Sequence, residues 1–134
     1  MKKIITSFAL MAMMVSCSPE RECGCGPAPV NANIAVVNAD GQSLIDEVNF
    51  QQIKILYRHG GELFTGAYPV LVTDGPVNSV WIEMARGESA ATYVDWNLED
   101  RDTLTYQLVQ GQPQIYVNGT LAAPDASGII HLPK

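Results

Sequence analysis

After Cys25 the chain contains no cysteine, so no disulfide can staple the body that follows, and any fold there rests on its own core. Long hydrophobic runs are scarce as well. Beyond residues 4–15 no apolar stretch approaches the ~20 residues that a membrane-crossing helix needs. Basic residues are few: eight Lys and Arg stand against 14 Asp and Glu, for a net charge of −6. Lys54, Arg58, Arg86, Arg101 and Lys134 are scattered along the body. An acidic chain without a basic stripe is repelled by phosphate backbones, which argues against nucleic acid as a partner. Catalytic signatures are missing too. Neither G-x-S-x-G nor H-E-x-x-H occurs, no glycine loop is placed to cradle phosphate, and His59 and His131 lie in no nucleophile motif. The expectation is a protein that is not an enzyme, with a hydrolase ranked third among the readings.

What is present begins with a secretory pattern. Lys2 and Lys3 precede the apolar run from Ile4 to Val15, and residues 1–16 read as a signal peptide. Its removal would leave six basic residues against 14 acidic ones, a net charge of about −8. Residues 17–31 are rich in Pro, Gly and charge without periodicity, and read as a flexible tether. Residues 32–134 form the folded domain. At 134 residues and 47% hydrophobic content, one domain with an appendage is expected.

Met14-Val15-Ser16-Cys17 closes the apolar run and resembles the lipobox of bacterial lipoproteins, with Met14 where leucine is commonest. The resemblance implies cleavage before Cys17, a diacylglycerol thioether on its sulfur and an acylated N-terminus. Two or three acyl chains would hold a protein firmly without spanning the bilayer, at about 0.8 kcal/mol per buried methylene. Ser18, where aspartate would signal the inner membrane, implies the outer membrane. Glu20 and Glu22 resemble the acidic tether of surface-displayed lipoproteins. Cys23-Gly24-Cys25 admits three readings: a feature of the tether, a disulfide, or two thiolates for a metal.

From Asn33 onward the pattern is one of short strands and turns. Ile34 to Val37 precedes Asn38-Ala39-Asp40-Gly41, a tight-turn signal. Phe50 to Tyr57 places Ile53, Ile55 and Tyr57 on one side, with Leu56 out of phase, and Gly60-Gly61 ends it. Further strands are predicted at Tyr68 to Thr73, Ser79 to Met84, Ala91 to Trp96, Thr103 to Val109, Gln114 to Asn118 and Ile129 to Leu132. Gly111-Gln112-Pro113 is the expected link between the sixth and seventh of these eight. No helix is predicted. Each strand has one apolar face, so the expectation is an all-β fold of two antiparallel sheets packed as a sandwich, with a small closed barrel as the alternative.

The lipobox, the tether, "NADGQSLID", "EDRDTL" and "YVNG" together resemble small Gram-negative outer-membrane lipoproteins with an immunoglobulin-like or transthyretin-like β-sandwich. That resemblance implies fold and location, and assigns no catalytic residue.

Four candidate sites remain. Asp95, Asn97, Glu99, Asp100 and Asp102 concentrate oxygen ligands suited to calcium, though the stretch does not fit the EF-hand spacing; a solvated turn with Arg101 offsetting the acids is the plainer reading. Asp102-Thr103-Leu104 resembles a bacterial O-glycosylation acceptor, which would place a glycan on Thr103. Asn118-Gly119-Thr120 matches the eukaryotic N-glycosylation sequon, which a bacterial lipobox makes irrelevant. Trp81, alternating with Ser79 and Glu83 away from Val80 and Ile82, would present an indole to a partner unless it caps the core, as Trp96 also could. The expected function is a membrane-anchored binding or accessory module of the cell envelope with a protein or glycan partner. A calcium-dependent binding or stabilising module centred on 95–102 is the alternative.

Overall fold

The protein was analysed as a computed structural model that describes residues 28–87, 90–96 and 100–134. Cys17, Cys23, Cys25, Asn97 and Glu99 lie outside the described residues. Two sheets pack against one another as an all-β sandwich, with a single four-residue helix among the described residues. The chain runs β1 (Asn31–Val37), α1 (Glu47–Phe50), β2 (Lys54–His59), β3 (Glu62–Thr65), β4 (Val70–Val72), β5 (Ser79–Glu83) and β6 (Ala91–Asp95). It then continues through β7 (Arg101–Val109), β8 (Gln112–Val117), β9 (Thr120–Leu121) and β10 (Ile130–Pro133). The smaller sheet has the order β10-β1-β5-β4 and the larger β3-β2-β6-β7-β8-β9, so no barrel closes.

Period-two alternation explains the core. Ile34 and Val36 of β1 and Val80 and Ile82 of β5 meet Ile55 of β2, Val94 of β6 and Leu104 of β7, all buried in one cluster. Burying an aliphatic side chain of this size contributes about 1.5–3 kcal/mol. Hydrogen bonds stitch the crossover from the small sheet to the large one. The Tyr57 hydroxyl donates to the Glu83 carbonyl at 2.7 Å, and the Ala85 amide donates to Thr92 Oγ1 at 2.7 Å. Burial raises the Tyr57 phenol above its usual pKa.

Three hairpins of the large sheet use two-residue turns in which both residues have positive φ: Gly60-Gly61, Gln110-Gly111 and Asn118-Gly119. This turn matches the right-handed twist of the flanking strands, and glycine at its second position tolerates the left-handed backbone. The β7–β8 link is therefore Gln110-Gly111. The expected Gly111-Gln112-Pro113 turn is corrected, because Gln112 and Pro113 already pair with Val109 and Leu108. Pro113 is tolerated there because it occupies a non-bonded pair, and β9 reaches only Tyr116 and Val117 on the other side.

Other boundaries also move. Residues 47–50, adjoining the predicted Phe50–Tyr57 strand, turn as a short helix because Asp46 caps them, its carboxylate accepting from the Val48 and Asn49 amides. Strand β3 was not expected. Of the expected antiparallel pairings one is instead parallel: Ile34 faces Ile130 and Val37 faces Pro133 where β10 joins β1. A second small cluster, Ala35, Val37 and Ile129 with Val77 against it, covers part of the outer face of the small sheet. Ser79 belongs to that face and is fully buried, which corrects the expectation that it shares open solvent with Trp81.

Candidate functional site

Two regions gather the residues that the sequence singles out. The first is the end of the sandwich where β6 leads into β7. Register pairs Val94 with Asp102 and Asp95 with Arg101, so alternation sends the Asp102 carboxylate inward and that of Asp95 outward. Asp95 is bound by Arg101, whose terminal nitrogen donates at 2.9 Å. That bond, aided by the nearby cationic charge, outweighs the opposing effect of burial and holds the Asp95 carboxyl below its usual pKa. Arg101 also lies over the Tyr93 ring at 5.4 Å, and Arg58 approaches the same ring at 5.6 Å.

Asp102 is buried and serves as a node. Its oxygens accept from the Trp96 indole at 2.6 Å, the Asn118 side-chain amide at 2.7 Å and the Lys134 ammonium at 2.9 Å. Burial pushes its pKa up, but the bonds from Lys134, Asn118 and Trp96 together outweigh burial and hold the carboxyl below its ordinary value. Lys134 also reaches Asp100 at 2.9 Å. Burial lowers the Lys134 pKa, and the two carboxylates more than offset that, leaving it raised.

Asp95 and Asp102 are therefore not brought together around one point, and each already has a cationic partner. Among the described residues no group of three or more His, Cys, Asp or Glu side chains is arranged to hold a metal ion. Thr103 stands half-buried opposite Tyr93 on the outer face of the large sheet, and its amide donates to Asn118 Oδ1 at 2.8 Å. Beside this node an open cavity of about 330 Å³ lies among Val36, Ile45, Ile53, Trp96, Asp100 and Lys134. His59 ends β2 and His131 lies in β10, where it contacts Asp125 at 2.7 Å, so the two histidines belong to different sheets.

The second region is the outer face of the small sheet. Trp81 stands between Asn33 of β1 and Val70 of β4, with 42% of its surface exposed, while Val70 is 50% exposed. Asn31, Asn33 and Ser79 on this face carry buried side-chain oxygens with no hydrogen-bond partner among the described residues. Trp96, by contrast, is buried and caps the core. Sequence alternation identifies Trp81, whereas nothing local marks Lys134 or Asn118 as partners of Asp102. Their separations along the chain are 32 and 16 residues.

Comparison with protein-family models gives no match. Neither the curated proteins nor the solved structures compared contain one that matches this chain.

Proposed function

We propose that this protein is a lipid-anchored, non-enzymatic binding or accessory module of the bacterial outer membrane, and that it meets an envelope protein or glycan through the outer face of its small sheet. The observation that carries the reading is the exposed Trp81, flanked in register by the exposed Val70 and by Asn33. An indole at 42% exposure on a flat strand face offers a rigid, amphipathic contact of the kind that anchors protein interfaces or stacks on sugar rings. The lipobox-like Met14-Val15-Ser16-Cys17 supports the anchor, with Cys17 as the acylated residue.

Affinity capture from intact envelopes tests the binding face. Wild-type protein should retain its partner or glycan, and Trp81→Ala should lose it while melting at an unchanged temperature. Equal capture by the two would refute the assignment. Acyl labelling tests the anchor separately: Cys17→Ala should abolish label incorporation and accumulate uncleaved precursor, whereas normal cleavage and soluble release would refute lipidation.

A further inference from the structure

We propose that β3 is a self-association edge, through which two copies of this chain pair antiparallel about a two-fold axis centred on Phe64. The argument starts from the Gly60-Gly61 turn. A two-residue hairpin makes its flanking pair, His59 and Glu62, a hydrogen-bonded pair, after which bonded and non-bonded pairs alternate. Tyr57 and Phe64 are thus bonded, while Arg58 with Leu63 and Leu56 with Thr65 are not. The Gly66 amide, which donates to the Ile55 carbonyl at 2.8 Å, continues the same alternation. The amide and carbonyl groups of Leu63 and Thr65 therefore point away from β2, along the open edge of the large sheet.

Sheet edges are normally blunted, by shortness, proline or charge, because an open row of backbone groups invites another strand. Three edges of this sandwich show such devices. β9 has two residues, β4 has three and follows Pro69, and β10 ends in Pro133. β3 has four residues and no proline, carries its one charge, Glu62, at the end beside the Gly60-Gly61 turn, and leaves Leu63 and Phe64 each 49% exposed.

The pattern selects a second copy of this chain as the occupant. A two-fold axis through Phe64 sets Leu63 opposite Thr65 of the other copy, and Thr65 opposite its Leu63. These two pairs exchange all four outward-pointing amide–carbonyl bonds. The two Phe64 side chains meet across the axis in a non-bonded pair, where side chains approach most closely. Glu62 falls opposite Gly66 of the other copy, so no like charges face one another. An axis through Leu63 would instead set Glu62 opposite Phe64 and reach Thr65 only through the Gly61 turn. The interface is closed and isologous, joining two six-stranded sheets into one continuous sheet without propagating into a fibre.

Sedimentation equilibrium of the intact mature protein in detergent should show a concentration-dependent monomer–dimer equilibrium. Leu63→Lys and Thr65→Pro should each raise the dissociation constant roughly tenfold or more. The proline removes only an amide that points away from β2, so the melting temperature of Thr65→Pro should stay close to wild type. Register is read by single cysteines placed in a chain with Cys23 and Cys25 replaced by Ala, Cys17 being kept because maturation requires it. Phe64→Cys should cross-link to its own copy on oxidation, because facing non-bonded residues lie about 4.5 Å apart, within disulfide reach. Glu62→Cys should not. A wild type that stays monomeric at every concentration would overturn the proposal, as would a dimer unaffected by both edge variants. Equal cross-linking at positions 62 and 64 would overturn the register.

Discussion

The Trp96 indole donates to the buried Asp102 carboxylate at 2.6 Å, and through that bond the residue just past β6 is tied to the strand that comes next. Asp102 gathers Asn118 from the β8–β9 turn and Lys134 from beyond β10 onto the same two oxygens. One inward carboxylate thereby connects both sheets with the turn that links β8 to β9. Its contribution is specific, because the buried Trp96 indole would otherwise face a low-dielectric interior, while Asn118 and Lys134 hold the carboxylate from the solvent side.

Asp102→Ala leaves the Trp96 indole, the Asn118 amide and the Lys134 cation without this acceptor. Removing one partner of a buried, charged hydrogen-bond network costs about 2–5 kcal/mol. Thermal unfolding should show a fall in melting temperature of some ten degrees or more, at roughly 4–8 °C per kcal/mol for a domain of this size. Asp102→Asn should cost less, since an amide oxygen still accepts.

Acid should destabilise the fold through the same group. The folded-state pKa of Asp102 lies below its unfolded value, as do those of Asp95 and Asp125. For Asp125 the bond to His131 is the largest cause. A depressed carboxylate contributes stability that is fully present above its unfolded pKa of about 4 and is lost as pH falls through the folded value. Denaturation profiles should therefore be flat from this source between pH 6 and 7 and fall below about pH 4–5. The fall should be shallower in Asp102→Asn.

Gly66→Ala should destabilise for a steric reason. A β-carbon there would come within 2.6 Å of Ile55 Cγ2 and 2.8 Å of Tyr57 Cε1, both in the neighbouring strand β2. Overpacking of this kind costs about 1–3 kcal/mol. Gly41→Ala supplies the contrast, since its β-carbon meets no atom within 4 Å and only the positive φ opposes it. Urea denaturation of the two variants should show the larger loss at Gly66.

Calcium should leave stability unchanged. Asp95 and Asp102 face opposite sides of the large sheet, and each is bound to a basic side chain. Titration to millimolar calcium should not move the melting temperature. A rise of several degrees would restore the 95–102 stretch as a cation site.

Much of the architecture is legible without coordinates. Alternation at Val80, Ile82 and Met84, or at Leu104 and Tyr106, names the buried face because a strand sends successive side chains to opposite sides. Gly60-Gly61 marks the end of β2, because adjacent glycines tolerate the positive φ of a tight turn, but the partner strands beyond it and beyond Asn118-Gly119 are not announced. Strand β3 is less legible: none of its four residues is buried, so no hydrophobic pattern announces it. Residues 47–50 show a local override, where the Asp46 cap closes a helical turn. Trp81 is found by alternation, but Ser79, in the same phase, is fully buried, which alternation along the strand does not foretell.

By itself the sequence determined the all-β class, the two apolar faces to be joined and the absence of any disulfide from the folded body, because these depend on local periodicity and composition. Only the tertiary structure decided which face of each sheet is exposed, that Asp102 is a buried node while Asp95 is a surface ion pair, and that β3 ends its sheet with no further strand beside it among the described residues. Those outcomes depend on which distant segments come to lie together. Burial, hydrogen-bond satisfaction and edge pairing are properties of that assembly, and no window of neighbouring residues contains them.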